Sequence, residues 1–241
     1  MESDSKICAI IPARGGSRGI PRKNIVQVNG KPLIAYSIEH ALNSERIDRV
    51  IVSTDDPEIS EVAKGFGAEV PFERPAELAQ DHVLDWPVFA HALAWLRSHE
   101  GYEPSVIVHL RPTAPIRLPG QIDEAISLLI SSPAADSVRS VSIPNQHPYR
   151  MFSIAKSGFL QPLLDTPHDE PYLLRRQDLP SVYWYNCVID VTRTTTIYGQ
   201  KSMTGKRITP YIIDGKWVVD IDSEEDLILA ESKMRFYSHQ F

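Results

Sequence analysis

Ile7-Cys8-Ala9-Ile10-Ile11 runs directly into Pro12-Ala13-Arg14-Gly15-Gly16-Ser17-Arg18-Gly19-Ile20-Pro21-Arg22-Lys23-Asn24, an apolar segment joined to a glycine- and arginine-rich one. Five successive apolar residues, bounded by proline, mark a strand buried on both faces. The glycines after it let backbone N–H groups come close to phosphate oxygens and form an anion nest. Arg14, Arg18, Arg22 and Lys23 add charge and donors suited to a polyphosphate. The segment is not a Walker loop, because no Gly-Lys-Ser/Thr opens a helix, and it lacks the Gly-x-Gly-x-x-Gly dinucleotide spacing. A basic surface turn is the plainer alternative. Its place directly after the first strand favours a phosphate site.

Outward from this strand the chain alternates short apolar runs with amphipathic ones. Residues 32–42 carry Leu33, Ile34, Ile38, Ala41 and Leu42 at helical spacing, with Pro32 at the start. Strands are predicted at 49–53, 68–72 and 105–110, and helices at 57–66, 86–96 and 121–130. This rhythm predicts an α/β fold of three layers: a mostly parallel, twisted sheet with helices on both faces, Rossmann-like. Ligands of such sheets bind at the carboxyl ends of the strands. Residues 143–185 break the rhythm with scattered prolines and charges, and read as an inserted lobe or dimerisation arm on a single domain spanning 1–241. Strands are predicted again at 188–191 and 217–221, then a helix from Ser223 to about Tyr237, with Glu224, Glu225 and Asp226 in its first turn.

The net charge of −6 argues against non-specific nucleic-acid binding, which needs a basic face. Two cysteines, Cys8 and Cys187, give neither a disulfide framework nor a zinc spacing, which fits a reducing cytoplasm. The polar, acidic start and the short apolar run after it match neither a signal peptide nor a membrane span.

Asp220 and Asp222 stand two apart in the predicted 217–221 strand and its end, so their carboxylates would share a face. They are either a site for Mg²⁺ shared with substrate phosphates or a pair of solvent-facing acids. His82, His91 and His99 show no metal-ligand spacing, and Ser53 has no nucleophile-elbow context. Tyr149 and Arg150 fit ligand contact and ordinary packing equally well.

Further motifs are Asn29-Gly30-Lys31-Pro32-Leu33-Ile34, Val52-Ser53-Thr54-Asp55-Asp56, Arg74-Pro75-Ala76-Glu77-Leu78-Ala79, Leu110-Arg111-Pro112-Thr113-Ala114-Pro115-Ile116-Arg117 and Val219-Asp220-Ile221-Asp222. With the basic loop, they closely resemble the acylneuraminate cytidylyltransferase family over most of the chain. The resemblance implies transfer of CMP from CTP to the anomeric hydroxyl of a sialic-acid-like sugar, with release of pyrophosphate. It implies that Ala13, Arg14 and the Gly15 and Gly16 amides hold the triphosphate and that Lys23 neutralises it. Asn24 and Arg74 would border the nucleotide, and Asp220 and Asp222 would hold Mg²⁺ (or Mn²⁺). Arg14, Lys23, Asp220 and Asp222 would then be the catalytic set. Arg176-Gln177-Asp178-Leu179-Pro180 matches a sugar-lining segment, with Arg176 suited to a carboxylate and Gln177 and Tyr149 beside it. Relatives are commonly homodimers.

Two positions depart from the family pattern. Arg111 stands where sialate-specific members carry glutamine, which favours a different or more anionic acceptor. Cys187 stands where the family has the glycine of Asn-Gly. The competing readings are a guanylyltransferase using GTP and a hexosamine 1-phosphate, and a non-catalytic nucleotide-sugar binding protein.

Overall fold

The computed structural model describes residues 6–17 and 19–236, so Arg18 and Tyr237 lie outside the described residues. The double-sided burial of the first strand, β1 (Ile7–Pro12), organises everything around it. Ile7, Ala9 and Ile11 enter one hydrophobic cluster, and Cys8 and Ile10 enter another on the opposite face. A strand that is apolar at every position needs cover on both sides.

The remaining strands of the sheet are β2 (Arg49–Ser53), β3 (Val106–His109), β4 (Ser137–Ser142), β5 (Trp184–Arg193) and β6 (Ile208–Ile212). Their order across the sheet is β6-β4-β5-β3-β1-β2. β5 runs antiparallel to both of its neighbours, and the other pairings are parallel. Helices α1 (Leu33–Leu42), α2 (Pro57–Gly65) and a later helix, Gln121–Ile130, pack on the Ile7/Ala9/Ile11 face. α3 (Asp85–Glu100) and a short helix, Thr194–Gln200, cover the Cys8/Ile10 face. The mostly parallel three-layer α/β architecture is therefore as expected.

Local signals set the helix starts. Asp56 caps α2, accepting the Glu58 and Ile59 N–H groups at 2.9 and 3.0 Å, with Pro57 in the first turn. The final helix, Glu224–Phe236, opens on a capping box. The Asp226 carboxylate accepts the Ser223 N–H at 2.9 Å, and Ser223 Oγ accepts the Asp226 N–H at 3.3 Å.

Two expected strands are absent. At 68–72 only a single bridge, Ile51 to Glu69, forms. Pro71 has no N–H to extend it. At 217–221 the apolar run buries Trp217, Val218, Val219 and Ile221 in the core without joining the sheet. Gly215–Trp217 is a 3₁₀ turn, and the Ile221 N–H is donated to the Thr113 carbonyl at 2.8 Å. The strand argument for a shared face of Asp220 and Asp222 therefore does not hold. Conversely, β4, β6 and the Thr194–Gln200 helix were not expected from the pattern.

Between β4 and β5 the chain forms a small hairpin, Phe152–Ile154 with Leu160–Pro162, and three 3₁₀ turns. Its apolar residues are largely in solvent: Ile154 and Phe159 are each 76% exposed, Leu173 67%.

Candidate active site

Because the parallel strands end at one edge of the sheet, the loops after β1, β2 and β3 meet there, and the amino end of antiparallel β5 joins them. These loops, with Asp222, enclose a cavity of about 380 Å³. The basic loop contributes Arg14, Ser17, Gly19, Lys23 and Asn24 to its wall; the following segments contribute Arg74, Asp81, Asp85, His109, Arg111 and Asp222.

The basic loop is held by its own backbone. The Ala13 N–H continues the β1–β2 pairing to the Ser53 carbonyl at 2.9 Å, and Ala13 is fully buried. Asn24 is buried too, and its side-chain amide donates to the Arg14 carbonyl at 2.9 Å. The Gly15 N–H is donated to Asp55 at 2.9 Å, so Asp55 already holds that amide. A Cβ on Gly15 would lie 2.6 Å from the Asp56 carboxylate, which is why glycine is needed. A Cβ on Gly19 would run into the Asp222 carbonyl, so this glycine lets the loop close over the 221–222 segment. Gly16 has open space around it.

Each described cation of this loop faces an acid. Arg14 pairs with Asp81 at 2.6 Å, and Arg22 with Asp56 and Glu58. Lys23 donates to the Ile221 carbonyl at 2.9 Å and pairs with Asp222 at 2.8 Å. Arg74, 4% exposed, donates from Nε to Ser53 Oγ at 3.1 Å and from Nη2 to the Ser53 carbonyl. Burial lowers its pKa to about 10, so it remains charged at neutral pH.

The opposite wall is a cluster that the residue pattern did not disclose. Arg111 Nη1 donates to Asp190 at 2.9 Å and to the Tyr185 hydroxyl, and Nη2 to Asp85 at 2.7 Å. Asp190, 3% exposed in its side chain, also accepts from Arg139 Nε at 3.0 Å and from the Tyr185 hydroxyl at 2.5 Å. Arg139 lies over the Tyr185 ring, 3.8 Å from its centroid. Burial pushes the Arg111 pKa down, but the oxygens of Tyr185, Asp190 and Asp85 more than reverse this, and the net shift is upward. His109 sits 3.9 Å from both Asp85 and Asp190, with neither ring nitrogen hydrogen-bonded among the described residues. Burial, then the charges of Arg111, Arg139 and Arg117, hold its pKa well below the ordinary 6.5, so the imidazole is neutral. Buried Arg117 braces the motif loop, donating to the carbonyls of Val188 and Arg111 and to Ser37 Oγ at 2.9, 3.0 and 3.0 Å.

Behind this wall β5 bulges. Asn186, fully buried, accepts from Ser140 Oγ at 2.6 Å and donates to Ser142 Oγ at 2.8 Å, which places Cys187 in the left-handed region with φ 62°. The backbone there explains why a glycine suits this position and why a cysteine is strained.

Of the residues singled out from sequence, Arg14, Lys23, Asn24, Arg74, Arg111 and Asp222 line this one cavity. Asp220 is half-buried off its wall, within electrostatic reach of Cys187. Arg176 lines a separate cavity in the 143–182 segment with His147 and Arg150; Tyr149 and Gln177 line neither. Asp81, Asp85, His109, Arg139, Tyr185 and Asp190 were missed. The available signal was Asp190 itself, an acid inside the apolar run Val188-Ile189-Asp190-Val191, which demands a buried partner.

Comparison with known proteins converges on one group. The sequence profile of a family described as "Cytidylyltransferase" matches residues 8–240. The pseudaminic acid cytidylyltransferase of Campylobacter jejuni serotype O:2 is 33% identical over 228 residues, covering 94% of this chain and 95% of the relative. The N-acylneuraminate cytidylyltransferase of Escherichia coli O18:K1:H7 is 33% identical over 94% of this chain, which spans 51% of that longer protein. A solved CMP:2-keto-3-deoxy-manno-octonic acid synthetase complexed with CTP superposes with a TM-score of 0.71 over 97% of this chain and 100% of its own, at 17% identity, a likeness of fold.

Proposed function

The chain belongs to the cytidylyltransferase family, and from that premise we propose that it transfers CMP from CTP to the anomeric hydroxyl of an acidic, sialic-acid-like nonulosonate. The observation that carries the reading is the single cavity in which Arg14, Lys23 and Arg74 face Arg111 and Asp222. In the reaction the acceptor oxygen forms a bond to the α-phosphorus, the bond to the β-phosphate oxygen breaks, and pyrophosphate leaves. Phosphoryl transfer of this kind depends on positioning and on charge neutralisation. Arg14 and Lys23, with the Gly16 amide and the Gly15 amide once released from Asp55, hold the triphosphate and stabilise the leaving pyrophosphate. Asn24 fixes the loop through the Arg14 carbonyl, Ala13 anchors it to β2, and Arg74 borders the nucleoside.

Among the described residues no three metal-binding side chains cluster. Two aspartates suit Mg²⁺ (or Mn²⁺), which keeps waters and takes its remaining oxygens from substrate phosphates. Asp222, on the cavity wall and 77% exposed, would hold such an ion, and Asp220, half-buried off that wall, would be the second carboxylate. The ion, when bound, would supply positive charge to the phosphates. Release of Asp222 from Lys23 would then leave the ammonium free for the same oxygens.

The chain acts as one domain with residues 143–185 as its arm. Arg176, Gln177 and Tyr149 lie on that arm away from the cavity, and its exposed apolar residues fit a second copy of the chain, whose acceptor site they would complete. Light scattering should therefore show a homodimer; a monomer at micromolar concentration would remove this role. Cytoplasmic location agrees with two free cysteines, and among the described residues no helix is long and apolar enough to cross a membrane.

Pyrophosphate release with Mg²⁺, testing CTP and GTP against nine-carbon acidic sugars and hexosamine 1-phosphates, tests the whole reading. Turnover with CTP and an acidic sugar is the expected result. Turnover only with GTP and a sugar phosphate would overturn it.

A further inference from the structure

Resting on the reading of an acidic acceptor, we propose that Asp85 is a specificity-determining residue. It competes, within the chain itself, for the edge of Arg111 that an acceptor carboxylate would take. The partners of Arg111 divide sharply by burial. Asp190 is 3% exposed and holds Arg111, Arg139 and Tyr185 together, so that side of the guanidinium is locked. Asp85 is 44% exposed in its side chain, and its hydrogen bond among the described residues is the 2.7 Å one from Arg111 Nη2. An ion pair so open to water is cheap to break.

Position favours exchange. Asp85 and Arg111 both line the cavity, whereas Asp190 does not. Asp85 is the first residue of a 16-residue helix, where a carboxylate turned toward solvent still faces the positive end of the helix dipole. The direct ion pairs match while Asp85 is in place, Arg111 and Arg139 against Asp85 and Asp190 with His109 neutral, and buried Arg117 and Arg74 add further positive charge nearby. When Asp85 swings out, the wall offers one uncompensated guanidinium edge, matched to one carboxylate. Return of Asp85 then competes against bound sugar and assists its release. A neutral sugar cannot replace Asp85, and so gains nothing from Arg111.

The test is steady-state pyrophosphate release by Asp85→Asn and Asp85→Glu, using CTP with the acidic acceptor and with its C1 carboxamide. Asp85→Asn is expected to lower the KM for the acid about three- to ten-fold, the scale of a partly exposed ion pair. The KM values for CTP and for the carboxamide should move by less than about two-fold, and Asp85→Glu should resemble the parent. An acid KM that stays put or rises in a folded Asp85→Asn, or an equal shift for the carboxamide, overturns the proposal alone. A parent enzyme that uses no acidic sugar overturns the functional reading beneath it, and the proposal with it.

Discussion

Asp190→Asn isolates the buried half of the Arg111 cluster. Asp190 accepts hydrogen bonds from Arg111 at 2.9 Å, from Arg139 at 3.0 and 3.3 Å, and from Tyr185 at 2.5 Å, with only 3% of its side chain exposed. Asparagine keeps the shape but loses the charge, and turns an amide donor toward guanidinium donors. Removing one partner of a buried ion pair costs about 3–5 kcal/mol. The lower end applies here, because Arg139 is 23% exposed and can turn outward, while Asp85 stays with Arg111. A loss near ~3 kcal/mol in a chain of 241 residues, at about 2–4 °C for each kcal/mol, lowers the midpoint by roughly 6–12 °C. Asp85→Asn, at the exposed end of the same guanidinium, should cost about 0–1 kcal/mol, or less than about 4 °C. Thermal unfolding followed by circular dichroism, with urea titration to check that the m-value is unchanged, reads both. Equal losses for the two variants, or a drop of under about 2 °C for Asp190→Asn, would refute the division of the cluster into locked and releasable partners.

Cys187→Gly should stabilise the protein by about 0.5–1 kcal/mol, because it relieves a left-handed φ of 62° at a non-glycine residue; a lower midpoint would show that thiol packing outweighs the strain. Arg14→Ala should raise the KM for CTP at least about ten-fold and lower kcat while leaving the melting midpoint nearly unchanged, since its pair with Asp81 is half exposed; unchanged kinetics would remove Arg14 from the site. Acid should destabilise the fold early. Burial, aided by Arg117 and Lys31, lowers the His40 pKa from 6.5 to about 3, and His109 is also held well below 6.5. Each takes up its proton only on unfolding, so stability is full above about pH 6.5 and falls by roughly 2 kcal/mol from His40 by pH 5, with a further loss from His109; a flat melting profile between about pH 7 and 5 would contradict this.

Apolar runs carried most of the fold in plain view. The helix at Gln121–Ile130 and the strand at Arg49–Ser53 appear at the residues their patterns mark, because side chains that must be covered leave an unambiguous period. β4 did not, since Ser137, Ser140 and Ser142 are buried without being apolar. Their hydroxyls are satisfied by the Thr204 carbonyl, Asn186 and the Ile213 carbonyl at 2.6 Å each, contacts that only the folded chain supplies. β6 was masked by Pro210, tolerated because the strand lies at the sheet's edge. At 217–221 the reverse error occurs: an apolar run with strand character satisfies its burial against the core, without a ladder. In the site, the glycine- and arginine-rich loop marked in the sequence is the one that forms a wall of the cavity. The acids opposite were not legible, because Asp81 beside Arg14, and Asp85 and Asp190 beside Arg111, are ordinary residues until the fold brings distant segments together.

The same logic revises the meaning of Arg111. Read as a residue type, an arginine in place of glutamine adds a positive charge and points to a more anionic acceptor. In the fold its guanidinium is bracketed by Asp85 and Asp190, and the neighbouring Arg139 shares Asp190, so the added charge is cancelled inside the wall. What changes is the kind of recognition. A glutamine can donate and accept, whereas Arg111 only donates, and its one cavity-facing edge becomes available only when a carboxylate outcompetes Asp85. The substitution therefore does not call for an acceptor with a second anionic group. It makes the single carboxylate of the acceptor the element that is read, and makes its affinity depend on an aspartate 26 residues earlier in the chain.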